Sequence, residues 1–515
     1  MGIADMTIVD AVASHAKARP DAPACADLET GRTWNYAQLH AAIDRTAAWL
    51  AERLEPASGA RIAMLAKNSV EMLILQLACV RAGAVFVPLN WRLAEAELAA
   101  LVLDCAPAMF FHDSDFAETA ARVAPDAPRF DSDPATDSLA ALVADAPPHA
   151  PAFARRPFDA PATLLYTSGT SGRPKGVIVT EQSSFWGSTN FIHGNAVGPK
   201  SIFLCDMPMF HTAGLFAAVR TPILAGASVL VSRGFDAVRT LARLADRSLG
   251  ITHYFSVPQM AQMMWQSPGF QPEMLQGLQV YAMGGAPNPG PQIERFVRAG
   301  IRMSDGFGMS ETGSNFGMPV GDLDLIVAKA GSCGLPYIAV RARIVDEDGR
   351  DVADGETGEL WLAGPSITPG YWNRPEENAK AFVDGWFRTG DAALRDADGF
   401  YYLVDRKKDM FISGGENVYP AEVEAALSEL ADVAEAAVIG VPDEKWGEVG
   451  RAYLILRAGS PLSAQDVLAH CRGRLAKFKV PASAVITDAI PRTASGKVQK
   501  HVLKERALAE MRAGE

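Results

Sequence analysis

The sequence predicts an α/β protein with a large N-terminal domain of layered α/β subdomains and a small α+β domain at its C-terminal end. The chain has 515 residues, which is beyond the size at which a single hydrophobic core stops growing, so two or more domains are expected. Between Ala162 and about Asp405, short apolar runs alternate with helical stretches, as in a sheet that is covered on both faces. The predicted domains are residues 1–405 and 406–515.

The first elements already alternate between helix and strand. Leu39, Ile43, Leu50 and Leu54 fall on one face of a predicted helix, and the run AVFVPL after Gly83 has the pattern of a buried strand. A second such unit reaches to about residue 140. Prolines are then frequent between residues 147 and 161, which indicates an irregular crossing segment and a junction between subdomains.

The C-terminal part shows its own sequence of elements. Pro420 stands at a favoured first position of a predicted helix whose apolar stripe is Val423, Leu427 and Leu430. The strand-like runs VAEAAVIGV and AYLILRA follow. Ser463, with an acidic residue three positions later, is typical of a capped helix start, and the strand-like run ASAVIT comes after that helix.

Charge and hydropathy exclude several classes of protein. A net charge of -12 argues against broad binding to nucleic acid or to anionic membranes, both of which need a basic face. The apolar stretch Met72–Leu89 is interrupted by Gln76 and Arg81, so it predicts a core helix leading into a strand and no stable membrane insertion. The N-terminus lacks the pattern of a secretory signal, and the six cysteines form no C-x-x-C pair. A cytoplasmic protein with reduced thiols is expected.

The most informative segment is Leu164–Thr180, LLYTSGTSGRPKGVIVT. An apolar strand runs into a loop of Gly, Ser and Thr that ends in Lys175, and such a loop can surround phosphate oxygens with amides, hydroxyls and one cation. A Walker-type P-loop is excluded, because Pro174 precedes the lysine and Gly176 follows it. The segment therefore predicts a phosphate site of another kind.

This loop resembles the phosphate loop of the adenylate-forming superfamily, which comprises acyl-CoA synthetases, nonribosomal peptide adenylation domains and firefly luciferases. Further landmarks of that family follow in order along the chain. They are GGAP (284–287), DGFGMSET (305–312), WFRTGD (386–391), YLVDRKKDMFISGGENVYPAEVE (402–424) and PRTASGKVQK (491–500). The resemblance implies an ATP-dependent acid:CoA ligase that first forms an acyl-adenylate and then a thioester.

The resemblance also assigns the nucleotide and metal sites. Glu311 matches the magnesium-binding glutamate, with Thr167 as a second metal and catalytic residue, and a hard cation on one carboxylate and phosphate oxygens is chemically reasonable. Asp391 matches the ribose-binding aspartate and Arg406 the arginine that assists it. The remaining residues expected to bind ATP or AMP are Thr167, Ser168, Gly169, Thr170, Lys175, Gly285, Ala286, Pro287, Asp305, Gly306, Phe307 and Ser310.

Two half-reactions imply two arrangements of a mobile small domain. Lys497 resembles the lysine that reaches the carboxylate and the α-phosphate, where it stabilises the transition state electrostatically. Lys408 matches the hinge position of the family. The thioester step is assigned to the loop that includes Gly414, Gly415 and Glu416. The phosphates of coenzyme A are matched with a basic cluster, which consists of Arg472, Arg474, Lys477 and Lys479.

The acyl site is placed beside the matched motifs. His211 lies where relatives carry an aromatic or histidine gate, and it is expected to act in catalysis and acyl binding. The other expected wall residues are Phe210, Tyr254, Ser256, Gly284, Gly308, Gly313, Ser314 and Asn315. These mixed small, aromatic and polar residues fit an aliphatic or aryl monocarboxylic acid, and the sequence does not choose between them. Arg220 keeps a dicarboxylic acid open as an alternative.

Several alternatives for acceptor and activity stay open. The preferred acceptor is free coenzyme A, with a separate acyl carrier protein as the second choice and a luciferase-like oxygenase as a third. A non-catalytic nucleotide- or acyl-binding protein is the alternative from another class, but Lys497, Glu311 and Asp391 are all present. The expected small-molecule partners are the acid, ATP, Mg²⁺ and coenzyme A, and the protein is expected to be a monomer or a homodimer.

Overall fold

The computed structural model describes residues 10–513 apart from 57, 149–156, 168–173, 287, 407–408, 414–415, 444–445, 476 and 494–496. In this part of the chain the strands form four sheets, and helices cover or separate them. The fold is mixed α/β, with a large N-terminal domain and a smaller C-terminal one, as the sequence predicts.

The strands are numbered in chain order. They are β1 Pro23–Asp27, β2 Thr33–Asn35, β3 Arg61–Leu65, β4 Val85–Leu89, β5 Met109–His112, β6 Arg129–Asp131, β7 Pro161–Thr167, β8 Lys175–Thr180, β9 Ile202–Cys205, β10 Ser228–Val231, β11 His253–Ser256, β12 Val280–Met283, β13 Met303–Met309, β14 Gly313–Gly317, β15 Leu335–Pro336, β16 Arg341–Val345, β17 Gly358–Ala363, β18 Phe382–Val383, β19 Trp386–Arg395, β20 Tyr401–Arg406, β21 Phe411–Ser413, β22 Glu416–Val418, β23 Val433–Asp443, β24 Gly447–Leu456 and β25 Ser483–Ile486.

The α-helices are numbered in the same way. They are α1 Ala11–Ala18, α2 Tyr36–Ala51, α3 Val70–Ala82, α4 Glu95–Cys105, α5 Ala117–Val123, α6 Ser138–Leu142, α7 Glu181–Gly194, α8 Thr221–Ala225, α9 Ala237–Ala245, α10 Pro258–Trp265, α11 Gly290–Arg298, α12 Leu323–Ala328, α13 Pro375–Ala381, α14 Pro420–Ser428, α15 Ala464–Arg474 and α16 Lys500–Ala513. A π-helix, Ala213–Arg220, runs directly into α8.

Two large sheets form the framework of the N-terminal domain. One has the strand order β6-β5-β3-β4-β7-β8, in which all neighbours are parallel except the β7–β8 hairpin. The other has the order β15-β14-β13-β12-β11-β9-β10-β1-β2, with parallel pairing from β1 through β13. In parallel sheets of this kind ligands bind beyond the carboxyl ends of the strands. The phosphate hairpin and the ends of β12 and β13 are therefore the places where the predicted site should form.

Two smaller sheets follow in the chain. Strands β16 to β20 form an antiparallel sheet that contains the TGD motif in β19. Strands β21 to β25 form the sheet of the C-terminal domain, and its core includes Phe411, Val423, Leu427 and Val467. The boundary at 405/406 stays a prediction, and the predicted hinge residue Lys408 lies outside the described residues.

Most of the elements expected from the sequence are confirmed. The run Met72–Leu89 contains α3 and β4, and α3 is buried along nearly its whole length against the main core. Pro420 occupies the first turn of α14, and Ser463 caps α15 through a reciprocal capping box with Asp466. Helix α2 ends at Ala51, so Leu54 of its predicted apolar stripe packs against the core from beyond the helix.

Across the described residues, none of the helices combines the length and the apolar character that a membrane span requires. All six cysteines lie in the described part of the chain, and each is buried and outside any disulfide.

Candidate active site

The phosphate loop is held between β7 and β8. Thr167 at the end of β7 pairs with Lys175 at the start of β8, and the intervening loop, with Ser168, Gly169 and Thr170, lies outside the described residues. The Tyr166 hydroxyl donates to Asp104 at 2.6 Å, and Arg374 forms an ion pair with the same carboxylate at 2.8 Å. The strand ends that carry the loop are therefore fixed from both sides.

Lys175 and Glu311 are brought together around Tyr371. The Lys175 ammonium pairs with Glu377 and lies 5.2 Å from the centre of the Tyr371 ring, which is a cation–π distance. The Tyr371 hydroxyl donates to Oε1 of Glu311 at 3.1 Å. Trp372, the next residue, donates its backbone N–H to the Gly176 carbonyl at 2.7 Å, which holds this segment along β8. Sequence reasoning missed Tyr371 and Glu377, because no matched motif contained them.

Glu311 is well placed for a cation beside phosphate oxygens. Its side chain is buried, and its backbone carbonyl accepts a hydrogen bond from the Thr368 N–H at 2.7 Å. Among the described residues no group of three or more acidic, histidine or cysteine side chains could hold a metal ion. One carboxylate completed by phosphate and water oxygens suits Mg²⁺, which keeps several such ligands. The residues present therefore fit a nucleotide-bound magnesium ion.

The ends of β12 and β13 lie side by side, with Met283 paired to Asp305. This register places Gly284, Gly285 and Ala286 next to Asp305, Gly306 and Phe307, while Pro287 lies outside the described residues. A Cβ on Gly306 would lie 2.7 Å from the Phe316 carbonyl oxygen, so only glycine fits there. The structure thus brings together most of the residues predicted to contact the base, at the strand ends where such a ligand would lie.

Asp305 is a buried carboxylate at this edge. Burial raises its pKa well above the ordinary value, and within the described part of the chain its Oδ1 has no hydrogen-bond partner. A buried polar atom without a partner is uncommon and is costly in free energy. Oδ1 is therefore suited to accept a hydrogen bond from a bound ligand.

Asp391 and Arg406 are opposite each other in the backbone register of two neighbouring strands. Asp391 in β19 pairs with Arg406 in β20, and the Asp391 side chain is buried. The Asp391 backbone N–H donates to the Thr389 hydroxyl at 3.0 Å, which fixes the turn. The ribose-binding pair that the resemblance implies is therefore adjacent in backbone register.

His211 lies two residues before the start of the π-helix, a helix type that is rare and often occurs at functional sites. Its ring lies 4.6 Å from that of Phe210, centre to centre, and its Nε2 has no hydrogen-bond partner in the described structure. Burial lowers the pKa of His211 to about 4, and the positive charges of Lys497 and Arg92 contribute to the same shift. The imidazole is therefore neutral at physiological pH.

The lowered pKa of His211 predicts a loss of stability in acid. The unfolded chain binds a proton on this imidazole near pH 6.5, whereas the folded protein binds it only near pH 4, so stability should fall between these values. We expect about 1–2 kcal/mol of this loss by pH 5. Urea denaturation at pH 7.5 and pH 5 should show a smaller acid effect in His211→Gln than in the wild type. Equal acid sensitivity of both proteins would contradict the burial argument.

Lys497 is exposed at the end of a loop in the C-terminal domain. Thr493 and Lys497 exchange two hydrogen bonds, at 2.8 Å and 3.1 Å, and Arg492 forms a bridge with Val498 and an ion pair with Glu435 of β23. Residues 494–496 of this loop are outside the described part. The positive charge of Lys497 is one of the causes that lower the pKa of His211.

A small cavity of about 30 Å³ lies between α7, the π-helix and the β13–β14 hairpin. Its walls consist mainly of hydroxyl-bearing side chains, with a few small and apolar ones. They are Val179, Ser183, Ser184, Gly187, Ser188, Thr212, Phe216, Ala217, Thr221, Ser310, Gly313, Ser314 and Ser366. At one end the Thr212 hydroxyl donates to Ser310 at 3.1 Å, next to His211. One end of this cavity therefore lies at Thr212, the residue after His211, the predicted gate of the acyl site.

Of the predicted acyl residues, Ser314 and Gly313 line this cavity. Tyr254 and Ser256 do not: the Tyr254 hydroxyl donates to Asp206 at 3.0 Å, and Ser256 shares a 2.8 Å hydrogen bond with Tyr281 in the core. Phe210 is buried beside His211 but is not part of the wall. Gly308 has a structural reason to be glycine, since a Cβ there would lie 2.3 Å from the Gly313 carbonyl oxygen.

The charge of Arg220 is paired within the protein and is not available to a ligand in this cavity. Its guanidinium forms two hydrogen bonds with Glu181, at 3.0 Å and 3.3 Å, and a third with Gln76 at 2.9 Å. Both charged side chains are largely buried, so the charge is neutralised within the protein. The alternative in which Arg220 binds a second carboxylate is not supported by these contacts.

The predicted thioester residues are only partly described. Gly414 and Gly415 lie outside the described residues, and Glu416 begins β22, opposite Ser413. In the basic cluster, Arg474 pairs with Glu429 at 2.9 Å and Lys479 pairs with Glu422 at 2.6 Å. Arg472 and Lys477 are exposed, so these two have the better access to an anion in solution.

Known proteins share this architecture along almost the whole chain. The model of the AMP-binding enzyme family matches residues 12–372, and that of the AMP-binding enzyme C-terminal domain matches residues 422–497. A feruloyl-CoA synthase from an Amycolatopsis species is 38% identical over 95% of this chain and 97% of its own length.

Two solved structures have a similar fold along almost the whole chain. ATP-bound MatB from Rhodopseudomonas palustris is 32% identical, with a TM-score of 0.89 over 97% of this chain and 99% of that one. O-succinylbenzoate coenzyme A synthetase (MenE) from Bacillus subtilis, in complex with ATP and magnesium, is 30% identical, with a TM-score of 0.83 over 96% and 99% of the two chains. The chain therefore belongs to the AMP-binding enzyme family and is an AMP-forming acid:CoA ligase that uses ATP, Mg²⁺ and coenzyme A.

Proposed function

We propose that the acid activated by this ligase is an aryl monocarboxylic acid of the phenylpropenoic class, to which ferulic acid belongs. The observation that carries this proposal is the hydroxyl-rich cavity beside His211. Eight of its thirteen wall residues are Ser or Thr, and a long alkyl chain would bury these hydroxyls against methylene groups. Burying a hydroxyl without a hydrogen-bond partner costs about 1–3 kcal/mol, so the wall favours a substrate that carries polar atoms.

The charge beside the cavity and one relative favour the same class of acid. The Arg220 guanidinium is neutralised by Glu181, which disfavours a dicarboxylic acid at this end. The feruloyl-CoA synthase that is 38% identical to this chain supports the aryl class.

For the first half-reaction we assign the nucleotide to the phosphate hairpin and the ends of β12 and β13. Lys175 and the loop after Thr167 would hold the phosphates, with Lys175 exchanging Glu377 for a phosphate oxygen. Gly285, Ala286 and Phe307 would line the base, and Asp391 with Arg406 would bind the ribose. Glu311, oriented by Tyr371, and Thr167 would hold the magnesium ion. That ion supplies neutralisation of the phosphate charge when it is bound.

The chemistry of this step is a displacement at the α-phosphorus. A carboxylate oxygen of the acid forms a bond with the α-phosphorus of ATP, and the bond to pyrophosphate breaks. Lys497 would stabilise the negative charge that develops around this phosphorus. Neutral His211, which precedes Thr212 of the cavity wall, would offer a donor or an acceptor to the acyl group without adding a charge.

In the second half-reaction the thiol of coenzyme A attacks the acyl carbonyl and AMP leaves. We assign this step to a rotated small domain, with Lys408 as the hinge and the loop of Gly414, Gly415 and Glu416 near the acyl group. Arg472 and Lys477 would meet the phosphates of coenzyme A, since both are exposed. The free thiols of the six buried cysteines fit a cytoplasmic location, and either a monomer or a homodimer is compatible with the proposal.

The test of the proposed substrate class is pyrophosphate release with ATP and Mg²⁺ over a panel of acids. The panel contains cinnamic, 4-hydroxycinnamic and ferulic acids, benzoic acids, alkanoic acids of increasing length and dicarboxylic acids, each with and without coenzyme A. We expect the phenylpropenoic acids to give the highest kcat/KM and turnover to require coenzyme A. A preference for long alkanoic or dicarboxylic acids would overturn the proposal.

A further inference from the structure

The lining of the cavity follows the π-helix from Thr212 at one end to Thr221 at the other, and the two ends differ. At the near end, Thr212 is hydrogen-bonded to Ser310 beside His211, and Gly187 of α7 closely approaches Gly313, where a Cβ on Gly187 would be 3.4 Å from the Gly313 Cα. At the far end, Thr221 follows the π-helix and lies near the first turn of α7. The π-helix lies between Thr212 and Thr221, so the two ends are roughly 10–13 Å apart.

The far end is built rigidly. Glu181, the first residue of α7, holds Arg220 through two hydrogen bonds, and Gln76 of α3 holds the same guanidinium. Gln76 itself donates to Thr163 of β7 at 3.3 Å. Residues of α7, α3 and β7 are therefore linked through Arg220, which immediately precedes Thr221 in the chain.

Thr221 carries a hydroxyl that the protein does not satisfy. Its side chain lines the cavity and is 0% exposed, and among the described residues its Oγ1 has no hydrogen-bond partner. The neighbouring Ser183, in contrast, uses its hydroxyl in the cap of α7 with Thr180. A fully buried hydroxyl without a partner is unusual and indicates that a group outside the protein completes it.

We propose that Thr221 is the residue that recognises an oxygen substituent on the aryl ring of the acid, at the end remote from the carboxylate. This inference rests on the proposed function, since it takes the acyl group to lie along the π-helix with its carboxylate at the Thr212 end. The distance between the ends is comparable with the length of a phenylpropenoic acid from its carboxylate to the para position. A phenolic hydroxyl there would donate to Oγ1 or accept from it, whereas an unsubstituted ring would leave Oγ1 without a partner.

The test compares 4-hydroxycinnamic acid with cinnamic acid, by coupled AMP release with saturating ATP and coenzyme A. For the wild type we expect kcat/KM to favour the hydroxylated acid by about tenfold, which corresponds to one hydrogen bond. Thr221→Val keeps the shape of the side chain and should remove this preference, mainly through KM for the hydroxylated acid. Its activity with cinnamic acid should be at least that of the wild type. Thr221→Ser keeps the hydroxyl and should keep the preference.

Thermal stability gives a second readout without substrate. Because Oγ1 has no partner, Thr221→Val should melt at the same temperature as the wild type or higher. The matched control is Thr240→Val, since Thr240 is also buried but donates to Asp206 at 2.6 Å. That variant should melt at a lower temperature and keep the substrate preference of the wild type.

The results separate the two proposals. If cinnamic and 4-hydroxycinnamic acids are both good substrates and the preference is absent in the wild type or survives in Thr221→Val, the role of Thr221 is overturned while the substrate class stands. A lower melting temperature of Thr221→Val would likewise show that Oγ1 has a structural partner. If neither acid is activated and alkanoic acids are, both proposals fail.

Discussion

Lys497→Ala is expected to slow formation of the acyl-adenylate by two to three orders of magnitude. The lysine is the one cation that the small domain is proposed to bring to the α-phosphate, and losing such a preorganised group corresponds to about 3–4 kcal/mol of transition-state stabilisation. Thioester formation from a supplied acyl-adenylate should change little, because that step uses another orientation of the small domain. Single-turnover assays of the two half-reactions, with pyrophosphate and acyl-CoA as readouts, measure both effects.

A matched control is Lys504→Ala. Lys504 lies in α16 of the same domain, seven residues after Lys497, and pairs with Glu448 of β24 at 3.0 Å. An ion pair that is this exposed contributes little, so both half-reactions should run at the wild-type rate. An equal loss of both half-reactions in Lys497→Ala, with a normal melting temperature, would contradict the division of labour between the two domain orientations.

The sequence was sufficient for features that are local or that belong to a motif. Pro420 and Ser463 start helices because a fixed φ angle and a capping hydroxyl act within one turn, and both predictions are confirmed. The phosphate loop could be predicted because a strand, a Gly- and hydroxyl-rich loop and a lysine are contiguous in the chain. Glu311 and Asp391 were found in the same way, each inside a recognisable segment.

Contacts between distant segments could not be predicted from patterns of this kind. Tyr254 and Ser256 have polar side chains beside a matched region, and only the fold shows that Asp206 and Tyr281 bind their hydroxyls inside the core. Tyr371 orients Glu311 from 60 residues away. Arg220 looked like a cation available to a substrate, because nothing in the sequence pairs it with Glu181, 39 residues earlier. Each of these outcomes depends on which side chains the sheets and helices bring together.

Glu181→Gln is expected to destabilise the protein strongly. Glu181 and Arg220 are both largely buried and form a two-fold hydrogen-bonded ion pair at the closed end of the cavity. Removing one charge leaves the other buried without its counterion, which typically costs about 3–5 kcal/mol. The temperature of thermal unfolding should fall by several degrees, and differential scanning fluorimetry would measure it. Because Arg220 precedes Thr221 in the chain, the preference for a hydroxylated acid should weaken in the same variant.

The double variant Glu181→Gln/Arg220→Met distinguishes loss of the ion pair from loss of packing. In the double variant neither buried side chain is charged, so no charge is left without a counterion. Methionine also fills much of the volume of the arginine stem. The double variant should therefore be more stable than Glu181→Gln alone. Arg298→Met is a suitable control, because Arg298 pairs with Glu294 on an exposed helix face and should leave the unfolding temperature nearly unchanged. If the double variant is no more stable than Glu181→Gln, the charge of Arg220 is not the source of the loss, and the far wall of the cavity depends on Glu181 in another way.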